Sequence, residues 1–314
     1  MKKILFIDST HPLLAQLLME VGYEIEYDYT SSKEEIINKI DTFFGIIIRS
    51  RFKIDKPLID AAKKLQFIGR VGAGMENIDV VYAESKKIHC INSPEGNRDA
   101  VGEHTLGLLL SLSNNIVKAN NEVKHGKWNR EENRGFEIMG KTIGIIGYGN
   151  MGSAFAQRLK GFHCNVIAYD KYKSGFSSEF VTEVAMEEIF NQTDILSFHV
   201  PYTEETHYLF NKKYIDKFKK SLYLLNTSRG KVVSIDDLAD ALKSKKIKGA
   251  ALDVLEYEDV SLKNAPKDEW SESMNYIANS TNVILTPHVA GWSTESNIKL
   301  STIIADKVID IFNK

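Results

Sequence analysis

The chain of 314 residues contains only two cysteines, Cys90 and Cys164, and each lies within an apolar stretch. Two isolated cysteines are too few for a disulfide framework and lack the clustered spacing that is typical of metal sites. We therefore expect both thiols to be buried and inert, and we expect no metal ion.

The chain also lacks a strong excess of charge of either sign and a long hydrophobic run. The formal net charge is -2, which argues against nucleic acid or an anionic membrane as the main partner. No apolar run approaches the roughly 20 residues needed to span a bilayer. Residues 1–8 resemble a strand followed by an acid and lack the apolar core and cleavage site of a signal peptide. We therefore expect a cytoplasmic protein with no membrane partner.

What is present is the composition of an ordinary globular protein, 43% hydrophobic and 26% charged. The length favours two domains over one. In the first hundred residues, patterns that predict strands at 4–7, 45–48, 67–71 and 88–91 alternate with patterns that predict helices at 12–20, 33–40 and 56–64. This alternation predicts a parallel sheet with helices on its faces.

A second series of strand and helix patterns occupies the middle of the chain, with strands predicted at 143–147, 165–169, 194–198, 222–225, 249–252 and 282–285. Six such units are what a complete Rossmann domain requires. A Leu-rich helix at 98–113 precedes this series, and a helix at 295–312 ends the chain. The simplest arrangement inserts the second α/β domain into the first. The polar stretch 259–279 has little pattern, and we interpret it as a surface excursion.

The most informative segment is the glycine-rich turn that follows the apolar run 143–146. Gly147 allows a tight turn, Gly149 lets the backbone approach a pyrophosphate, and Gly152 lets the following helix pack closely on the strand. The amino terminus of that helix offers free N–H groups to phosphates. The turn therefore predicts a dinucleotide site.

Asp170 stands at the end of the next predicted strand, where an acid can accept the hydroxyls of the adenosine ribose. A carboxylate at this place repels a 2′-phosphate, so we expect NAD rather than NADP. Lys171 and Lys173 lie nearby and would weaken that preference.

Three ionisable residues, Arg229, Glu258 and His288, each follow a predicted strand, at the end of the sheet where ligands bind. Taken singly, a surface arginine, a solvated glutamate or a structural histidine is an adequate explanation. Together they offer a proton donor near neutral pH, a carboxylate that stabilises its charged form, and a cation for a carboxylate or an alkoxide. This set predicts hydride transfer to a keto acid.

The chain resembles the D-isomer-specific 2-hydroxyacid dehydrogenase family, and most of all its 3-phosphoglycerate dehydrogenase branch. The resemblance covers nearly the whole chain, from residue 70 to the region of Trp292. The motifs that carry it are Val71-Gly-Ala-Gly74, Gly96-Asn-Arg-Asp-Ala-Val-Gly-Glu-His-Thr105, Gly147-Tyr-Gly-Asn-Met-Gly152, His199-Val-Pro-Tyr-Thr203, Asn226-Thr-Ser-Arg-Gly230 and Thr286-Pro-His-Val-Ala-Gly-Trp292.

The resemblance implies an α/β fold of two domains. A flavodoxin-like substrate domain is expected at 1–98 and 288–314, and an NAD-binding Rossmann domain at 99–287 is expected to be inserted into it. The implied activity is NAD-dependent interconversion of a D-2-hydroxy acid and its 2-keto acid. The leading pair is 3-phosphoglycerate and 3-phosphohydroxypyruvate, a step of serine biosynthesis, with the phosphate bound by Arg49, Arg51 or Arg98.

The resemblance also implies roles for individual residues. Arg229, Glu258 and His288 match the catalytic triad, and Asp253 is expected to face the nicotinamide carboxamide. The expected substrate contacts are Arg49, Ser50, Ala73, Gly74, Arg229 and His288. The expected cofactor contacts are Val101, Thr105, Gly147, Gly149, Asn150, Met151, Gly152, Asp170, His199, Pro201, Thr206, Thr227, Ser228, Arg229, Asp253, His288 and Gly291.

The chain departs from the family pattern at two places. Asp259 follows Glu258 where a proline is usual, and the segment between Glu258 and His288 is longer than usual. The chain also ends soon after its last helix, so the serine-sensing regulatory domain of some phosphoglycerate dehydrogenases, and inhibition by serine through it, are not expected.

Two alternatives stay open. A glyoxylate or hydroxypyruvate reductase would carry the same triad and differ only in its substrate pocket. An NADH-sensing binding protein, like the corepressors that share this fold, would bind NADH with negligible turnover. Formate dehydrogenases of the superfamily are disfavoured, because they carry glutamine where Glu258 stands.

A homodimer is the expected assembly. The helix at 100–112 and the segment 114–137, with Trp128 and Phe136, are too apolar for a free surface. In the resembling family this region forms the arm of a homodimer. The alternative is a helix buried within its own domain.

Overall fold

A computed structural model of the chain describes residues 2–258 and 267–312. These residues form two units. Unit 1 is built from both ends of the chain, 2–98 and 292–312, and unit 2 from the middle, 99–258 and 267–291. Asp259, the first unusual position noted in the sequence, lies outside the described residues.

The elements alternate along most of the chain. The strands are β1 (Lys3–Phe6), β2 (Glu24–Tyr27), β3 (Gly45–Ile48), β4 (Phe67–Arg70), β5 (His89–Asn92), β6 (Thr142–Ile146), β7 (Asn165–Tyr169), β8 (Thr182–Glu183), β9 (Ile195–Phe198), β10 (Leu222–Asn226), β11 (Ile247–Leu252) and β12 (Val283–Leu285). The α-helices are α1 (Pro12–Glu20), α2 (Lys33–Lys39), α3 (Lys56–Ala61), α4 (Val80–Ser85), α5 (Pro94–Ser113), α6 (Ile116–Lys124), α7 (Asn150–Arg158), α8 (Met186–Gln192), α9 (Lys212–Ile215), α10 (Ile235–Lys243), α11 (Glu272–Asn279) and α12 (Thr294–Phe312). Short 3₁₀ helices occupy Ile40–Thr42, Gly230–Val232 and Lys267–Glu269.

Unit 1 contains a parallel sheet of order β2-β1-β3-β4-β5, which is the flavodoxin-like doubly wound order. Alternate residues of β1 serve the two faces of the sheet, as the two-residue period of a strand requires. Leu5 packs into the apolar layer on one face, and Ile4 and Phe6 pack into the layer on the other. The second layer also contains Ile304 of α12, so the last helix completes the core of unit 1.

Unit 2 contains a parallel sheet of order β12-β11-β10-β9-β6-β7-β8. Counted from β6, this is the Rossmann order 3-2-1-4-5-6 with one more strand, β12, at the β11 edge. The predicted α/β fold class is confirmed. Parallel strands of one sheet end at the same edge, so the residues that follow β6, β7, β9, β10, β11 and β12 lie along one side of unit 2.

Two expectations about packing need correction, and the structure favours the alternative for the Leu-rich helix. Helix α5 is buried within its own unit at Leu108 and Leu109, which pack into the core of unit 2. The stretch after 271 is not a surface excursion, because it forms α11, whose Met274 and Ile277 are fully buried. The two cysteines are half-buried rather than buried, and burial raises the pKa of Cys90 to about 11.

Candidate active site

The glycine turn after β6 has the close packing that a dinucleotide cradle needs. Gly147 has φ +92°, and a Cβ there would lie 2.5 Å from the His199 carbonyl oxygen. A Cβ on Gly152, inside α7, would lie 2.0 Å from the Gly147 carbonyl oxygen. Gly149 caps α7 and has open space around its Cβ position, so its backbone is accessible to a ligand. Asn150 and Met151 form the first turn of α7. The turn fits a pyrophosphate beside the helix amino terminus.

Asp170 directly follows β7, and backbone amides hold its carboxylate in place. Tyr148 N donates to one oxygen at 2.7 Å, and Tyr172 N and Lys173 N donate to the other at 2.9 and 3.0 Å. The residue lines an open cavity of about 590 Å³, whose walls come from residues 169–174, 177 and 183–185. A fixed negative charge thus borders the space in which the sequence predicts the adenosine ribose.

The loop after β9 brings three more predicted cofactor residues to the same edge. His199 Nε2 lies 2.8 Å from the Ser197 hydroxyl oxygen. The other ring nitrogen, Nδ1, is buried without a hydrogen-bond partner among the described residues. Burial lowers the pKa of His199 to about 3, so the ring is neutral at physiological pH. Thr206 Oγ1 donates to the Pro201 carbonyl oxygen at 2.7 Å and so closes the loop.

A buried cluster of hydroxyls lies where α5 meets the end of β10. Thr105 and Thr227 approach each other at 3.0 Å between their hydroxyl oxygens, and Thr105 also lies 2.7 Å from the Val101 carbonyl oxygen. Ser228 donates its hydroxyl to the side chain of Asn226 at 2.7 Å. The structure therefore unites Val101, Thr105, Thr227 and Ser228, which the sequence predicts as cofactor contacts.

Arg229, Glu258 and His288 follow β10, β11 and β12, which are neighbours in the sheet. Glu258 Oε2 lies 2.7 Å from His288 Nδ1, and both side chains are largely buried, at 17% and 24% exposure. Leu255 N donates to the other Glu258 oxygen at 2.5 Å. With Nδ1 bound to the carboxylate, Nε2 is the nitrogen of His288 that can exchange a proton with a ligand.

The turn that carries Arg229 packs tightly on the segment that carries Glu258. A Cβ on Gly230 would lie 2.0 Å from the Leu255 carbonyl oxygen, so glycine is required for this approach. One guanidinium nitrogen of Arg229 donates to the Ser228 carbonyl oxygen at 2.7 Å. The three ionisable residues are therefore brought to one edge of unit 2, with the contact between Glu258 and His288 as its best-defined feature.

The backbone at His288 adopts φ +54°, which is uncommon for a residue other than glycine. Asp253, at 1% exposure, holds this conformation. Its carbonyl oxygen accepts the His288 amide at 2.7 Å, and its carboxylate accepts Thr286 Oγ1 at 2.6 Å and the amides of Val289 and Ala290 at 3.0 and 2.9 Å. Gly291 ends this segment.

The same contacts decide the charge of Asp253. Burial alone would raise the pKa of this carboxyl, but hydrogen bonds from His104, Thr286, Ala290 and Val289 outweigh burial and lower it. In the structure the carboxylate fixes the loop around His288. That Asp253 faces the nicotinamide carboxamide stays a prediction.

The predicted substrate contacts of unit 1 also follow strand ends. The amides of Arg49, Ser50 and Arg51, after β3, all donate to one oxygen of Asp8, at 2.7, 3.0 and 3.1 Å. The Arg49 guanidinium stacks on the ring of Trp292 at 4.4 Å. Asp8 thus fixes the backbone that presents Arg49 and Ser50.

The remaining predicted substrate contacts of unit 1, Ala73 and Gly74, come after β4. Asn92 donates its side-chain amide to the Ala73 carbonyl oxygen at 2.7 Å, which ties this turn to the end of β5.

Sequence reasoning missed three residues that support predicted contacts within the separate units, Asp8 in unit 1 and His104 and Glu205 in unit 2. Asp8 had a signal, because it is an acid directly after a strand. His104 also had one, because it precedes Thr105 in the same helix, and its Nε2 lies 3.2 Å from Thr286 Oγ1 and 3.5 Å from Asp253 Oδ1. Glu205 had no local signal and is found only through its contact with Lys171, at 2.6 Å.

Residues 106–290 match the family model described as the NAD binding domain of D-isomer specific 2-hydroxyacid dehydrogenases. This match confirms the prediction of NAD as the cofactor. None of the described helices is both long enough and apolar enough to cross a membrane.

Relatives with two different names match most of this chain. A D-3-phosphoglycerate dehydrogenase of Methanocaldococcus jannaschii is 36% identical over 313 residues, which make up 98% of this chain and 57% of that protein. The chain thus spans little more than half of the length of the D-3-phosphoglycerate dehydrogenases that it matches. A hydroxypyruvate reductase of Thermotoga maritima is 33% identical over 296 residues, which make up 93% of this chain and 92% of that protein.

A solved structure also resembles this chain over nearly all of its length. The D-lactate dehydrogenase of Aquifex aeolicus, complexed with NAD and lactic acid, superposes with a TM-score of 0.84 at 27% identity. The match covers 99% of this chain and 96% of that one.

Proposed function

The chain belongs to the D-isomer specific 2-hydroxyacid dehydrogenase family, and we propose that it interconverts a D-2-hydroxy acid and the corresponding 2-keto acid. The observation that carries this proposal is the 2.7 Å contact between Glu258 and His288, placed beside the turn of Arg229. NAD(H), when bound, supplies or accepts the hydride. The residues that would hold it are the glycine turn, Asp170 and the buried hydroxyl cluster.

The chain's own residues handle the proton and the charge of the substrate. In the reducing direction, His288 Nε2 donates a proton to the carbonyl oxygen as that oxygen becomes a hydroxyl. Glu258 accepts a hydrogen bond from His288 Nδ1–H and stabilises the charged imidazole before Nε2 gives up its proton. Arg229 binds the substrate carboxylate, which a guanidinium can do through two parallel hydrogen bonds.

We assign 3-phosphoglycerate and 3-phosphohydroxypyruvate as the leading substrate pair. Several relatives named D-3-phosphoglycerate dehydrogenase support this choice. Arg51 is a weaker candidate for binding the phosphate than the other two arginines. Its guanidinium already donates to the carbonyl oxygens of Ile7, Asp28 and Ser31. Arg49 and Arg98 stay as the candidates.

Hydroxypyruvate or glyoxylate is the second candidate substrate. Two observations favour it. A relative that this chain matches over most of both lengths is named a hydroxypyruvate reductase. Arg51 is also hydrogen-bonded to backbone carbonyls, which reduces the positive charge that is available to a phosphate.

A panel of substrates tests these assignments. Purified protein with NADH would be offered 3-phosphohydroxypyruvate, hydroxypyruvate, glyoxylate, pyruvate and an uncharged ketone, and the reverse reaction would be followed with the hydroxy acids. Activity confined to acids supports the class, because only an acid offers a carboxylate that the Arg229 guanidinium can bind. Turnover of hydroxypyruvate without turnover of the phosphorylated acid would promote the second candidate. NADH binding without turnover of any acid would favour a cofactor-sensing protein.

We also propose that the chain forms a homodimer through α6 and the segment that follows it. Apolar side chains stand exposed there, with Ile116 at 51%, Val123 at 52% and Trp128 at 77%. Phe136 is not part of this surface, because it stacks on Tyr223 at 4.3 Å. Light scattering should give a dimer mass, and Val123→Lys should shift the mass toward the monomer. A wild-type monomer would refute the proposal.

A further inference from the structure

Two lysines line the cavity beside Asp170, so the space in which the ribose is predicted holds cations as well as an anion. Lys171 directly follows Asp170, and Lys173 lies two residues further on. Either ammonium could bind the 2′-phosphate of NADP(H), so the repulsion from Asp170 alone does not explain a preference for NAD(H).

Glu205 engages the first of these lysines. Its Oε1 lies 2.6 Å from Lys171 Nζ, and its Oε2 accepts the Tyr172 hydroxyl at 2.8 Å. Glu205 comes from the loop after β9, whereas Lys171 and Tyr172 come from the loop after β7. The hydrogen bond from Lys171 lowers the pKa of Glu205, and the same bond raises the pKa of Lys171, so both groups are charged at neutral pH.

The balance of charge follows from this contact. Two carboxylates, Asp170 and Glu183, and two ammoniums, Lys171 and Lys173, line the cavity, and their formal charges balance. Glu205 adds a third carboxylate through its contact with Lys171, so an added phosphate meets a net negative charge. Without Glu205 the formal charges would balance, and Lys171 could turn toward the cavity. The ion pair is exposed, at 54% and 56%, so it contributes little to stability. Its effect on a charged ligand is independent of that contribution.

We propose that Glu205 is a second determinant of cofactor choice, which withholds Lys171 from a 2′-phosphate and keeps the site selective for NAD(H). This inference rests on the proposed function only in placing the adenosine ribose beside Asp170. The ligand class that Glu205 excludes is a nucleotide with a phosphomonoester on that ribose. Lys173 is held differently, with its ammonium 3.4 Å from the Tyr148 carbonyl oxygen.

Equilibrium binding of NADH and NADPH, followed by nucleotide fluorescence, tests the role of Glu205 without any substrate. Glu205→Gln should lower the Kd for NADPH by about fivefold and change the Kd for NADH less than about twofold, as expected for one surface charge. Raising the ionic strength should shrink this gain, because salt screens exposed charges. Glu204→Gln is the matched control, since it removes an equal charge from the neighbouring position.

A double variant shows whether the effect passes through Lys171. Glu205→Gln combined with Lys171→Met should lose the gain in NADPH affinity. A gain that persists would mean that Glu205 repels the phosphate directly, and it would overturn the proposal. Equal results for Glu205→Gln and Glu204→Gln would also overturn it. A wild-type chain that binds neither nucleotide would overturn the proposed function itself.

Discussion

The glycine turn after β6 and the ionisable set after β10, β11 and β12 lie on the same edge of unit 2 but are built in opposite ways. The turn is made from backbone within a short stretch of sequence. It requires that Gly147 and Gly152 carry no side chain. The ionisable set is made from side chains that follow three different strands, and Glu258 and His288 contact each other at 2.7 Å.

Because of this difference, the two regions should respond differently to amino-acid substitution. A site made of closely packed backbone is damaged when an atom is added, and the damage extends to the fold. A site made of side chains is damaged when an atom is removed, and the fold can stay intact. Substitutions in the two regions should therefore fail different assays.

The largest expected effect is the removal of the proposed proton donor. His288→Asn should lower kcat by roughly 10²–10⁴, because a proton donor acts in the transition state. The Kd for NADH and the unfolding midpoint should change little. Asparagine is the better replacement, because it tolerates the positive φ of this position more readily than alanine does. A variant that keeps more than about a tenth of the wild-type kcat would remove His288 from the role of acid.

The second effect should reverse that pattern. Gly152→Ala places a methyl group 2.0 Å from a backbone oxygen, so we expect a loss of about 2 kcal/mol in the free energy of unfolding, together with weaker NADH binding. Gly149→Ala is the matched control, because the space around its Cβ position is open. It should weaken NADH binding while leaving the unfolding midpoint nearly unchanged. Equal stabilities of the two variants would contradict the packing argument.

A smaller effect is expected at the partner of the histidine. Glu258→Gln should lower kcat by about tenfold, because His288 Nδ1 loses its carboxylate partner. The measurement is kcat at saturating substrate and NADH. Glu256→Gln, at a half-buried carboxyl whose pKa is raised by burial, is the control and should leave kcat nearly unchanged. A loss of kcat in the control alone would transfer the role to Glu256.

The smallest effect concerns a side chain that borders the backbone-built region. His199 has a folded-state pKa of about 3, below the ordinary value of 6.5. The unfolded chain binds more protons between these two values, so stability falls as the pH drops below 6.5. Lowering the pH from 7 to 5.5 should remove about 1 kcal/mol from the free energy of unfolding through this group. Urea titrations of His199→Asn should show a smaller loss, and an unchanged loss would contradict the assignment.

The fold was largely predictable because most strands of both sheets are continuous apolar runs. The exceptions are instructive. Glu24–Tyr27 forms β2 although two of its four residues are acidic, because it lies at a sheet edge and needs little burial. Thr182–Glu183 is too short to give any pattern. Local sequence gives only a weak signal for such short strands, since pairing with a neighbour stabilises them.

Some features of the candidate site could likewise be predicted from the sequence, and others could not. The roles of Gly147 and Gly152 follow from their spacing, because the whole turn is local. The pairing of Glu258 with His288 follows from the chemistry that each would perform. The burial of the Asp253 carboxylate under Val289 and Ala290 could not be predicted, because it depends on how the ends of β11 and β12 approach each other.

The position of β12 has a consequence for how the protein loses activity. This strand has three residues, Val283–Leu285, and it forms the edge of the sheet with β11 as its neighbour. Short edge elements open at lower free energies than the interior of a sheet, where β6 lies between β9 and β7. Local opening of β12 would separate His288 from Glu258 while the glycine turn stays folded. On warming, catalysis should therefore disappear before nucleotide binding does.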